Sequence, residues 1–174
     1  MRNTLAAVAA LGLLGTAVAP SLAIEQAEKK EITLIGAGSN DNDFEAGGFN
    51  VAGSFGYYFT DEFQVKIRQG ISYSDFGDSS WSAVTRVGAF YHFNFGSEQQ
   101  FVPYVGATVG YVYGNGVSDT FVAGPEAGLK YFVNDTTFLF GSVTYDFFFE
   151  DGDDADDTFS DGQFVYGLGI GFQF

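Results

Sequence analysis

The chain has 174 residues, no cysteine, and a formal charge of −15 from 22 acids against seven bases. No disulfide framework, thiol chemistry or cysteine metal site is open to it, and the negative sum excludes a nucleic-acid partner, which needs basic patches to meet phosphates. Charged residues are only 17% of the chain, while aromatics reach 18% and glycines number 24; a soluble domain carries more charge, about 25%.

In chain order, Met1 and Arg2 give a positive start, Leu5 to Leu14 is apolar, and Ser21-Leu22-Ala23 supplies small residues for cleavage. Residues 1–23 read as a cleaved signal peptide, with an apolar stretch too short to span a membrane as a helix. Residues 24–30 follow as a short polar segment on the periplasmic side, and residues 31–174 are expected to form one domain. With the chain ending at Phe174, no further domain is expected.

Eight segments have period-two character: 31–39, 48–59, 62–75, 81–95, 101–113, 120–133, 136–149 and 163–174. Sustained helical periodicity is missing, so the class is all-β with up-and-down connections. Pro103 and Pro125 interrupt two segments at positions that alternation turns outward, a mild cost to a ladder. Three connections are tight and flanked by aromatics (YYFTDEF, FNFGSEQQF, YFVNDTTF). They alternate with four looser ones: SNDNDFEAGG, DFGDSS, GNGVSD and EDGDDADDTFSDG. Short turns at one end and looser loops at the other are the asymmetry of a transmembrane barrel.

Aromatics cluster at both ends of the segments. Tyr57, Phe59, Phe63, Phe93, Phe95, Phe101, Tyr131 and Phe174 lie on the turn side; Phe76, Trp81, Tyr111, Tyr113, Phe121, Phe147 and Phe149 lie on the loop side. Such rings favour the headgroup level of each leaflet. In the last segment Tyr166, Leu168, Ile170, Phe172 and Phe174 share one face, and Gly167, Gly169, Gly171 and Gln173 share the other. A soluble barrel would keep its apolar face inside and a charged one outside. Here the alternative face is mostly Gly, Ser, Thr and Asn, so the apolar face is read as meeting lipid.

PYVGATVGYVYG at 103–114, GPEAGLKYFVNDTTFLFGSVTYDF at 124–147 and the ending GLGIGFQF resemble the small eight-stranded bacterial outer-membrane β-barrels, the OmpX and OmpA membrane-domain type. The resemblance implies an eight-stranded antiparallel up-and-down barrel in the outer membrane of a Gram-negative cell. It also implies Gly169, Phe172 and Phe174 as an assembly signal read by the barrel assembly machinery, although Gly167 replaces the polar residue usual at its start. Outer-membrane lipid and lipopolysaccharide are the implied surroundings, and a monomer the implied state.

With Phe174 outward, alternation sends Lys66, Arg68, Arg86, Lys130, Glu126, Asp146 and the only histidine, His92, inward, together with Glu31. Arg68, Arg86, Glu126 and Asp146 come out at similar mid-barrel heights. Glu126 and Lys130 are too far apart on one strand to pair, at about 3.3 Å per residue, so partners must come from other strands. An eight-stranded barrel is just wide enough for side chains to fill, and the set is read as a charge-paired plug; a selective constriction is the alternative. Inward glycines at 106, 110, 124, 128, 167, 169 and 171 are expected to leave space beside the charges for water.

Thirteen of the 22 acids lie in the four looser loops, seven of them between Glu150 and Asp161. DGDDADD lacks the spacing of a calcium loop, so a solvated, self-repelling loop is expected, with weak Ca²⁺ or Mg²⁺ bridging to lipopolysaccharide as the secondary reading. Some barrels of this size act on lipid A, which implies a histidine with serine or acid partners near the outer leaflet. His92 lies at the opposite end and faces inward, so no catalytic residue, cofactor or metal site is assigned. The resulting expectation is a non-enzymatic structural or surface-interaction protein, with a narrow channel as the alternative and a lipid A enzyme less favoured.

Overall fold

Alternation of large and small residues over 11 to 14 positions gives strands long enough to cross a bilayer at a tilt. The computed structural model describes residues 28–40, 47–75, 79–94, 100–149 and 162–174. Eight strands run through them: β1 (Lys30–Asn40), β2 (Gly47–Tyr58), β3 (Phe63–Ser74), β4 (Ser80–His92), β5 (Phe101–Gly114), β6 (Thr120–Phe132), β7 (Thr137–Phe149) and β8 (Gln163–Gln173). Each pairs antiparallel with the next, and β1 pairs with β8 to close the barrel. The bounds fall within a residue or so of the periodic segments except in β4, which ends at His92 rather than 95. There the β4–β5 ladder runs out at Pro103: its carbonyl accepts from the Phe93 amide at 2.8 Å, but a proline has no N–H to return the bond.

The expected signal peptide, residues 24–27, Phe76, Phe95 and the acidic run from Glu150 to Asp161 lie outside the described residues.

Following paired residues around the wall from Glu31 leads through Gly56, Lys66, Gly88, Thr108 and Gly124. The β6–β7 register then carries the path to Asp146, which pairs with Gln163, ten residues from Gln173, the residue that Glu31 itself meets. That stagger tilts the strands, and with only eight of them the barrel is narrow enough for inward side chains from distant strands to meet across it.

Pro125 marks its position in the wall. The β6–β7 pairing runs through Ala123–Phe147 and resumes at Glu126–Thr144, skipping the proline and the residue before it. A proline has no N–H to give the ladder. The Tyr145 carbonyl moves in against Gly124, where a Cβ would sit 1.7 Å from it.

The exterior is apolar. Ile32, Leu34, Phe55, Ile67, Val105, Val109, Leu129 and Leu168 are all exposed. Rings border this band, including Phe101 against Tyr131 (4.9 Å between centroids) at the turn end and Tyr111 against Phe121 (4.8 Å) at the loop end. A continuous apolar belt of this extent is stable only against hydrocarbon. Buried residues line the lumen instead, with Val102, Phe132, Phe138 and Phe140 clustered near its turn end and Ile35 packed on them.

Candidate functional site in the barrel lumen

Two layers of polar side chains cross the lumen. In the middle layer Arg68 from β3 reaches Glu126 on β6, donating from Nη1 to Oε2 at 3.0 Å and from Nη2 to Oε1 at 2.9 Å. Arg86 from β4 does the same with Asp146 on β7, at 2.6 and 2.7 Å. Planar guanidinium and carboxylate groups fit each other through two parallel bonds, the strongest geometry available to such a pair. Thr144 and Tyr104 donate further hydrogen bonds to Glu126, at 3.2 and 3.4 Å. The carboxylates are fully buried, and the guanidiniums keep 14% (Arg68) and 11% (Arg86) of their side-chain surface exposed.

The second layer lies nearer the turns and has Glu31 at its centre. Lys130 donates to Glu31 Oε2, while the Lys66 ammonium stands 3.4 Å from Oε1. The Tyr58 hydroxyl donates to the same carboxylate at 3.1 Å and receives a bond from Lys130 at 2.7 Å, and Gln173 Nε2 lies 3.3 Å from both Glu31 and Tyr58. Both ammoniums also rest on rings: Lys66 is 4.9 Å from the Phe90 centroid and Lys130 4.9 Å from that of Phe138. Cation–π contact recovers part of the hydration an ammonium loses on burial. His92 is fully buried beside this layer, its Nε2 3.3 Å from Gln64 Oε1 and 3.5 Å from the Tyr58 hydroxyl.

The structure thus places all six of Lys66, Arg68, Arg86, Lys130, Glu126 and Asp146 in the lumen, but divides them. Arg68, Arg86, Glu126 and Asp146 meet in the middle layer; the two lysines gather on Glu31, lower down. Tyr58, Gln64, Tyr104, Thr144 and Gln173 complete the network and were not singled out from sequence. Their only signal there is that they are polar groups at inward positions.

The inward glycines do not leave the expected space. A Cβ at Gly106 would lie 2.5 Å from the Phe90 ring, at Gly128 2.4 Å from Tyr104, and at Gly171 2.1 Å from Phe138. Large inward side chains of neighbouring strands lie across these glycines, so the room a glycine frees is filled by rings rather than water. Gly169 sits against Phe140, and with Phe172 and Phe174 exposed on the opposite face it forms the end of the closing strand.

No protein-family model and no curated protein matches the chain. Solved structures do. The N-terminal β-barrel domain of OprF from Pseudomonas aeruginosa aligns with a TM-score of 0.60 at 23% identity, over 85% of this chain and 98% of that one. Outer membrane protein OprG of the same organism aligns at 0.53 and 14% identity, over 86% and 97%. A de novo designed transmembrane β-barrel aligns at 0.52 and 17% identity, over 87% and 100%. The chain therefore has the fold of the small eight-stranded outer-membrane barrels. A designed barrel shares it equally, so the fold carries no role by itself.

Proposed function

We propose that this is an integral outer-membrane protein whose lumen is closed by its own ion pairs, with a structural or surface-interaction role at the cell envelope. The observation that carries the reading is the middle layer, where two bidentate pairs cross the lumen from β3 to β6 and from β4 to β7. Opening such a pair leaves a buried charge alone, at a cost of about 3 to 5 kcal/mol. A non-enzymatic role is supported by the burial of His92 at the turn end, away from the outer leaflet. The surroundings are outer-membrane lipid and lipopolysaccharide; the monomer reaches them through recognition of Gly169, Phe172 and Phe174 by the barrel assembly machinery.

The test is planar-bilayer conductance of refolded residues 24–174 beside the double variant Arg68→Ala, Arg86→Ala. A silent parent and a conducting variant fit the closed lumen. Steady discrete currents from the parent transfer the reading to a narrow channel. One observation favours that second reading: Arg68 Nε and the Thr108 hydroxyl are buried in the lumen without a hydrogen-bond partner among the described residues.

A further inference from the structure

The wall is not closed to the same height all round. β1 pairs with β2 up to Asn40–Gly47, and β7 pairs with β8 up to Asp146–Gln163. Between β1 and β8, however, the register stops at Ile35–Gly169. Both strands continue as strands beyond that point but no longer pair with each other.

The mutual backbone bonds of Lys30 and Phe174, at 2.8 and 2.9 Å, fix which peptide groups face this seam. By period two they are those of Ile32, Leu34, Gly36 and Gly38 on β1, and of Phe172, Ile170, Leu168 and Tyr166 on β8. At Gly36, Gly38, Leu168 and Tyr166 the N–H and C=O groups therefore face the gap with no ladder partner among the described residues. Gly36 and Gly38 have no side chain to bridge it, and a Cβ on Gly36 would meet nothing within 4 Å. Leu168 and Tyr166, at 76% and 77%, are the most exposed of the large apolar residues. Ile35 forms the sill, its Cδ1 3.3 Å from where a Gly167 Cβ would be.

The gap opens at outer-leaflet depth. Gly38 pairs beside Phe49, which stacks on Tyr73 at 5.8 Å, and Phe164 lies 4.8 Å from Tyr145, so loop-side rings flank its top. Its inner side is an outward-facing cup. Val165 points inward opposite Thr144 yet is 39% exposed, and Asn50 is exposed as well. The cup's floor is the Arg68–Glu126 and Arg86–Asp146 layer. On the lipid side an apolar groove of about 540 Å³ runs from Tyr166 and Gly167 past Leu168 to Gly141 and Leu129.

Free peptide groups inside a bilayer need hydrogen-bonding partners, which a hydrocarbon cannot give, while the groove beside them suits a hydrocarbon chain. We propose that the β1–β8 seam is a lateral portal joining the cup to the outer leaflet, and that it holds a single-chain amphiphile. The polar head lies on the free edges of Gly36, Gly38, Tyr166 and Leu168, and the chain lies in the groove over Gly141.

The experiment is amide exchange by NMR on the full mature chain, delipidated, refolded and placed in phospholipid nanodiscs, with 1-monolauroylglycerol as the probe. Without the probe, the amides of Gly36, Gly38, Tyr166 and Leu168 exchange about a hundredfold faster than those of Ile32, Leu34, Ile170 and Phe172, and the probe slows them saturably by about tenfold. Gly141→Leu, which fills the groove on the lipid face, raises the probe concentration needed by about tenfold. Equal protection of the two sets without probe overturns the portal. Fast exchange indifferent to the probe, or a concentration unchanged by Gly141→Leu, overturns the occupant. Disulfide-linked dimers of a Leu168→Cys variant would assign the edge to a second copy and overturn it too.

Discussion

Glu31→Gln tests the lower layer most severely. Glu31 is the shared counter-charge of two ammoniums, Lys66 and Lys130, whose side chains are 2% and 1% exposed. At 3.4 Å and an effective dielectric near 20, the Lys66 contact alone is worth about 5 kcal/mol of gross attraction. Stripping the partner from one buried charge costs about 3 to 5 kcal/mol net. Here two are stripped at once, and Tyr58 and Gln173 lose a charged acceptor at about 1 to 3 kcal/mol. Glu31→Gln is therefore expected to cost more than Arg86→Ala, which orphans the single carboxylate of Asp146. Restoring the balance by adding Lys66→Met should return part of the loss, because one ammonium goes with its partner. The assay is reversible urea unfolding into phospholipid vesicles, followed by tryptophan emission from Trp81. A loss below about 1 kcal/mol for Glu31→Gln, or no recovery in the double variant, would refute the view that Glu31 balances both lysines.

Leu168→Arg places a charge on the lipid face in mid-wall and should cost roughly 2 to 4 kcal/mol in the same assay; a neutral result would mean that inside and outside are exchanged. Deleting Phe174 should lower the amount of barrel assembled in the outer membrane, measured as the heat-modifiable fraction on cold electrophoresis, and normal assembly would remove the C-terminal strand from recognition. Gly171→Val drives a branched side chain into the Phe138 ring, since even a Cβ would stand 2.1 Å away, and should destabilise by about 1 to 3 kcal/mol. An unchanged midpoint would mean that the ring has room to turn aside.

Period two decides which face a residue takes without reference to any partner, so much of the barrel was legible in the sequence. Tyr166, Leu168 and Phe172 face lipid, while Arg68, Arg86, Glu126 and Asp146 face inward, because a strand has only two sides. The contrast between tight turns and looser loops likewise set the strand count and the up-and-down order.

Partnership across the lumen was decided only by the folded wall. Whether Arg68 meets Glu126 or Asp146 depends on the ten-residue stagger of the closed sheet, a property of all eight ladders together. The same stagger brings Glu31 from one end of the chain under Lys130, 99 positions away. It also lays Phe90, Tyr104 and Phe138 over glycines that alone read as empty space. The end of the β1–β8 ladder above Ile35 belongs here as well: alternation continues through both strands, and nothing in a period shows that two regular strands have ceased to pair. Local pattern determines faces because side-chain direction is set within one strand; contacts across a closed sheet are set by a global register, which no single strand contains.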